Sequence, residues 1–305
     1  MGGCHFVGGV GVSLLFVGLF LSASGVSGCA FTSVGIDQPD YRAQLDFGPP
    51  ETVKVCAVLD NGITQENAQK TLAGYWNETD AEKYSLSVNI VSYSHKERPL
   101  SEYFSWQIAD DVSRMPVPAF CDRVMYFVGR NLADALWSIP EIAGAPEVLG
   151  WVDDATMARG FVVSRFGSLN QVLMGLWFSP SQAARHETYH LLGCGHDLTL
   201  QACYDKIRDA KALEAALERA GCYEKADMQP FLPAFPNAGN IALLTRAQVN
   251  SVPSDAGIRG LDDFVRCARG ADLPVDDRAE SDVAHLSAWL SSQLMQPLPP
   301  RMVTR

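Results

Sequence analysis

The sequence predicts an α+β fold: a twisted, mixed β-sheet with a helix packed against it, followed by a smaller and less regular C-terminal part. Two patterns lead to this prediction. Apolar runs typical of strands alternate with stripes of period 3.6 typical of helices up to residue 192, whereas the chain beyond residue 250 is rich in loops. A content of 47% hydrophobic and 19% charged residues is that of a globular protein and excludes a disordered chain.

The individual elements follow from short patterns, taken in chain order. Strands are predicted at 53–59, along the alternating Leu86, Val88 and Ile90, at 124–128, at 148–152 and at 161–163. Helices are predicted at 64–76, along the stripe Phe104, Ile108, Val112 and Met115 that Pro116 halts, and at 180–192, 204–220 and 281–295. We expect the apolar stripes of these elements to form the core.

The N-terminal segment predicts export from the cytoplasm. Residues 6–21 are apolar and uncharged but fall short of the roughly 20 residues of a spanning helix, which indicates a signal peptide over 1–28. The run Val26-Ser27-Gly28-Cys29 resembles the lipobox of bacterial lipoproteins, which implies that Cys29 is lipidated and becomes the first mature residue. Ordinary secretion and a retained anchor are the alternatives. The aperiodic residues 29–51 are interpreted as an extended tether.

The charge and the cysteine content indicate which partners the chain can bind and which compartment it occupies. The net charge of −11 argues against a nucleic-acid partner, because a surface that binds phosphates is basic. Six cysteines remain in the predicted mature chain, at positions 56, 121, 194, 203, 222 and 267. In an oxidising compartment they are expected to form three disulfides, although the sequence does not choose the pairing and buried free thiols are the alternative.

The chemistry of the chain lies in residues 186–197, which read HETYHLLGCGHD. His186 and His190 are four residues apart, which places them about 40° apart on one helix face, where both imidazoles can reach one ion. Ser179, Pro180 and Gln182 suit the N-cap, N1 and N3 positions of that helix. Gly193 is expected to end it in the left-handed conformation, and the turn can then deliver His196 to the same ion.

Three neutral imidazoles with one open position are typical of catalytic zinc, since structural zinc sites close all four positions with protein ligands. Glu187 cannot easily join the two helical histidines as a ligand. It can instead face a water molecule on the open side of the zinc ion, take its proton and later return it to a leaving amine. The predicted reaction is hydrolysis of an amide. Cys194 as a fourth ligand is the weaker alternative to a disulfide or packing role.

The residues of this motif also resemble a family: His186, Glu187, His190, Gly193 and His196 match the extended motif of the metzincin zinc peptidases. The family implies a methionine in a tight turn beneath the metal, for which Met228 is the candidate, with an ordinary loop methionine as the alternative. The His196-Asp197 pair and the nearby Cys203 are similar to adamalysin-type members. A Met-x-Pro turn and a capped segment at Thr245 look like matrixin-type members, although Gln229 stands where those have tyrosine.

The resemblance implies a catalytic domain over 52–252 and leaves 253–305 as a C-terminal helical extension. It also implies that an edge strand, here 148–152, binds peptide substrate by strand addition. The expected function is a lipid-anchored zinc endopeptidase in the bacterial cell envelope, acting on a peptide or protein substrate. Two alternatives remain open at this point. One is a degenerate member that binds zinc without turnover, and the other is a non-catalytic surface lipoprotein that binds a peptide or envelope partner.

Overall fold

The computed structural model describes residues 34–99, 105–129, 148–153, 156–164, 179–222, 250 and 266–272. In these residues the strands form one sheet, and their bounds are β1 (Glu51–Leu59), β2 (Leu86–His95), β3 (Arg123–Val128), β4 (Gly150–Val152) and β5 (Arg159–Val163). The strand order is β2-β1-β3-β5-β4. All neighbouring strands are parallel except β4, which runs antiparallel to β5. The predicted mixed sheet is confirmed, and it is mostly parallel.

The burial of the strands follows their place in the sheet. Every residue of β3 and of β5 is buried, as expected for interior parallel strands covered on both faces. In contrast, β4 is the last strand of the described order, so the prediction that 148–152 forms an edge is confirmed for residues 150–152. No other described strand pairs with the outer side of β4.

The helices cover both faces of the sheet. Their bounds are α1 (Pro39–Arg42), α2 (Gln65–Gln69), α3 (Tyr75–Thr79), α4 (Ala81–Tyr84), α5 (Ser105–Ser113), α6 (Pro180–Leu191) and α7 (Gln201–Ala220). A π-helical turn at Lys70–Gly74 joins α2 to α3, so the helix predicted at 64–76 extends to Thr79. Right-handed connections place this helix and α5 on opposite faces, because the chain moves from β1 to β2 and then back to β3. Helix α6 packs against β4, β5 and the π-helical turn.

The prediction of an extended tether at 29–51 is wrong for residues 34–50. Val34 and Phe47 are buried in the core cluster, with 2% and 8% of their surface exposed. The backbone of Ile36 donates to Leu198 O (3.1 Å) and accepts from Leu200 N (2.9 Å), so this segment pairs with the loop after α6. Helix α1 and its flanks therefore belong to the folded body, because their apolar side chains pack against residues that are distant in the sequence.

All six predicted mature cysteines are paired. The pairs are Cys56–Cys121, Cys194–Cys203 and Cys222–Cys267, with Cα–Cα distances of 5.7, 4.8 and 5.6 Å. These distances lie within the usual range of disulfides, about 4.4–6.8 Å. Three disulfides are consistent with an extracytoplasmic location, since such bonds persist in oxidising compartments.

Several predicted features lie outside the described residues, namely the signal peptide, Cys29, Phe104, Met228, the segment at Thr245 and the helix at 281–295. Among the helices that the structure describes, none combines the length and the apolar character needed to cross a bilayer.

Candidate metal centre

The active segment begins with a helix whose start is fixed by its own sequence. Ser179 caps α6: its Oγ accepts from Gln182 N (3.2 Å), and Gln182 Oε1 accepts from Ser179 N (2.8 Å). Pro180 occupies the first helical position, where its missing N–H leaves no bond unmade. The predicted capping box is confirmed, and it fixes the start of the helix in which the four-residue spacing places His186 and His190 on one face.

Gly193 ends the helix in the conformation that the sequence predicts. Its φ is +86°, in the left-handed region, and its N–H donates to His190 O (2.9 Å). The following N–H, of Cys194, donates to Tyr189 O (3.0 Å), which closes the turn. The chain then reverses, and Asp197 N donates to Val34 O (3.2 Å). The disulfide between Cys194 and Cys203 holds the same loop to α7, so Cys194 is not a fourth ligand.

This turn brings the three predicted ligands together. The Nε2 atom of His186 lies 3.0 Å from that of His190 and 3.1 Å from that of His196, and the last two are 3.2 Å apart. The cluster could hold a metal ion, since its donor atoms all lie within 4.8 Å of one another. His186 is buried, His190 is half-buried and His196 is exposed, so the cluster opens to solvent on the side of His196.

The electrostatics of the cluster favour neutral imidazoles. Burial, together with the neighbouring His190 and His196, lowers the pKa of His186 to about 3. Burial likewise lowers the pKa of His190 to about 4, against the opposing effect of its hydrogen bond to Cys194 O (2.7 Å). A carbonyl oxygen can only accept, so Nδ1 of His190 carries the proton and its Nε2 has a free lone pair. Metal binding needs such unprotonated nitrogens.

Glu187 lies between the active helix and the edge strand. Its side chain is buried, with 6% of the residue exposed. It packs against the backbone of Gly150 in β4 so closely that a Cβ atom built on Gly150 would lie 2.5 Å from both Cγ and Oε1 of Glu187. The carboxylate thus belongs to the residue that follows His186 on α6, and it lies against β4, the last strand of the described sheet.

A buried polar network holds the flank of α6 that carries Arg185 and Tyr189. Asp80, with 1% of its surface exposed, accepts a bidentate pair of hydrogen bonds from Arg185, of which Nη2 to Oδ1 is 2.8 Å. Tyr189 donates to the same oxygen (2.8 Å), and its hydroxyl lies 2.9 Å from that of Tyr84. Burial raises the pKa of Asp80, but Arg185, Thr79 and Tyr189 outweigh it and lower that pKa to about 2.

The structure therefore brings together His186, His190 and His196, with Gly193 at the turn that leads to His196. Glu187 follows His186 on α6 and lies against Gly150 of β4. Asp197 is exposed and attaches the loop through its backbone. Asp80, Arg185 and Tyr189 were not predicted from the sequence. Arg185 and Tyr189 are four residues apart and adjoin the histidines, which is a detectable pattern, but their partner lies 105 residues from Arg185.

We expect Gly193→Val to weaken both folding and metal binding. A β-branched side chain at φ +86° is strained, at a cost of at least about 1–2 kcal/mol, and relief of the strain would move His196. Gly195→Val is the matched control, because Gly195 is not at positive φ and its nearest neighbour to a built Cβ is Asp197 Oδ2 at 3.9 Å. Chemical denaturation and zinc titration of both variants measure the effect. Equal behaviour of the two variants would contradict the role of the turn.

Comparison with known proteins gives no further guide: no protein-family model matches the sequence, and neither a curated protein nor a solved structure matches the chain.

Proposed function

We propose that the chain is a zinc-dependent endopeptidase of metzincin type. The observation that carries the proposal is the triangle of Nε2 atoms of His186, His190 and His196, with the buried carboxylate of Glu187 one residue along the same helix. A metal site without catalytic activity would account for the three histidines as ligands. It would give no reason for a carboxylate held between α6 and the edge strand.

The donor set fits a zinc ion. Tetrahedral zinc with Zn–N distances of about 2.0–2.1 Å places its nitrogen ligands about 3.3–3.4 Å apart. The three Nε2 separations of 3.0, 3.1 and 3.2 Å are slightly shorter, so small side-chain shifts accommodate the ion. Three neutral nitrogen ligands also leave one coordination position for water or substrate, which is the donor set of catalytic zinc sites.

In peptide hydrolysis, Glu187 and strand β4 would have separate roles. When bound, zinc supplies Lewis acidity, which polarises the substrate carbonyl and makes water more acidic. Glu187 accepts the proton of the attacking water and returns it to the leaving amine, as a general base and then a general acid. The free edge of β4 pairs with the extended substrate and presents the scissile bond to the histidine cluster.

A peptide-library assay tests the proposal. We expect the purified protein to contain one zinc ion and to cleave internal peptide bonds, with activity lost on chelation and restored by added zinc. His190→Ala should lose both the metal and the activity, because it removes one of three ligands. A protein that binds one zinc ion and cleaves no member of a diverse library would instead be the non-catalytic lipoprotein that binds a peptide or envelope partner.

We propose further that lipidation of Cys29 anchors the enzyme in the bacterial cell envelope. The support is the lipobox-like run before Cys29 and the disulfides of the folded body. Because Val34 already packs on the body, the five residues that precede it, Cys29 to Ser33, would span at most about 18 Å. The anchor would therefore hold the histidine cluster close to the membrane surface and favour substrates located there.

We expect Cys29→Ser to release the protein into the soluble fraction without changing its peptide cleavage. Stable anchoring needs more than one acyl chain, which a lipidated N-terminal cysteine carries, and the substitution removes the attachment point. Cell fractionation and mass spectrometry of the mature N-terminus provide the measurement. An unmodified N-terminus at another residue would contradict the lipid anchor and leave the peptidase proposal intact.

A further inference from the structure

The contact between Gly150 and Glu187 links the edge strand to the carboxylate of the site. A Cβ on Gly150 would lie 2.5 Å from Cγ, 2.5 Å from Oε1 and 2.6 Å from Cδ of Glu187. Real Cβ atoms essentially never approach heavy atoms closer than 3.0 Å, so any side chain at position 150 requires the Glu187 side chain or one of the two backbones to move. The space beside Gly150 is therefore filled by the carboxyl group itself.

Backbone conformation does not explain this glycine. Gly150 lies in β4, pairs with Val162 and is not among the residues at positive φ, so its backbone is one that any residue can adopt. A glycine inside a strand costs roughly 0.5–1 kcal/mol of stability relative to alanine, because it loses more conformational freedom on folding. The feature that requires a glycine at this position is the neighbouring side chain of Glu187.

We propose that Gly150 is a positioning residue for Glu187: the gap left by its missing side chain fixes where the carboxylate sits beside the histidine cluster. The proposal rests on the proposed function, in which Glu187 transfers the proton. The same strand that would bind the substrate would then also fix the base, so the substrate backbone and the carboxylate would be aligned by one element. A general base must lie within hydrogen-bond reach of its proton, and a misplacement of about 1 Å can cost 10²-fold in rate.

Gly150→Ala tests the proposal through catalysis. The three atoms nearest to the added methyl group all belong to Glu187 and none to a histidine. We therefore expect one bound zinc ion, a KM within about threefold of wild type and a kcat about 10- to 100-fold lower. A kcat within twofold of wild type in the zinc-loaded variant would overturn the proposal.

A double-mutant cycle tests the contact without any turnover. In metal-free protein we expect Gly150→Ala to lower the thermal midpoint by about 3–10 °C, as overpacking typically does in a domain of this size. The Glu187→Ala background lacks all three atoms that lie nearest to the added methyl group, so Gly150→Ala should leave the midpoint unchanged or raise it by about 1–3 °C. An equal loss in both backgrounds would show that the methyl group acts elsewhere and would overturn the proposal.

Gly160→Ala is the matched control. Gly160 lies on the neighbouring strand β5, and a Cβ there would meet Trp151 O at 2.5 Å and Val152 Cγ2 at 2.9 Å. It should therefore lower the thermal midpoint by the same amount with Glu187 present or absent. A wild-type protein that cleaves no peptide would refute the endopeptidase function, and the cycle would then decide by itself whether Gly150 positions Glu187.

Discussion

Glu187→Ala is expected to lower kcat by about 10²–10⁴-fold while the protein keeps one zinc ion. The substitution removes the carboxylate that takes the proton from water in the proposed function, but it leaves His186, His190 and His196 in place. Alanine is the best helix former, so α6 should persist with its capping box and its terminal turn. Steady-state cleavage of a library-derived peptide, together with metal analysis of the same sample, measures both parts of the prediction.

The control for this experiment is Glu218→Ala, an exposed glutamate on α7, which should change neither kcat nor metal content. His190→Ala should also lose activity, but through loss of the ion. Metal analysis of the two variants therefore distinguishes a general base from a metal ligand. Cleavage by Glu187→Ala at the wild-type rate would exclude Glu187 as the base, although the histidine cluster would remain a metal site.

The active segment could be predicted in detail because its determinants are local. The capping box at Ser179 fixes where α6 begins, Gly193 fixes where it ends, and helical periodicity places His186 beside His190. The same holds for the sheet, because the period-two and apolar runs of the strands are short-range patterns. The edge position of β4 also agrees with the prediction, which was taken from the family resemblance, whereas the order of the other strands was not predicted.

The features that the sequence did not predict depend on contacts between distant residues. The segment at 34–50 has no periodicity, yet it packs because Val34 and Phe47 find apolar partners and Ile36 pairs with the loop at Leu198. The pairing of the cysteines is equally non-local, as the 65-residue separation of Cys56 from Cys121 illustrates. The sequence does not mark Gly150 as unusual, because the side chain that it contacts, Glu187, lies on another element.

Asp80 stabilises the fold through contacts with residues that are distant in the sequence. We expect its substitution to cause a large loss of folding stability. Asp80→Asn should destabilise the protein by about 3 kcal/mol at pH 7, because it leaves Arg185 without its buried partner. Asp110→Asn is the matched control: Asp110 also pairs with an arginine, Arg114, but this pair is largely exposed and should contribute less than about 1 kcal/mol. Urea denaturation of the three proteins measures the difference.

The destabilisation by Asp80→Asn should also depend on pH in a defined direction. The pKa of Asp80 is lowered from 3.8 to about 2 in the folded protein. The stability that this shift contributes is present above the unfolded pKa and is lost as the pH falls through the folded one. The difference between wild type and Asp80→Asn should therefore be about 1 kcal/mol smaller at pH 3 than at pH 7. A difference that stays constant over this range would mean that the Asp80 carboxylate is not stabilised by Arg185 and Tyr189, and that these contacts do not hold the flank of α6 in place.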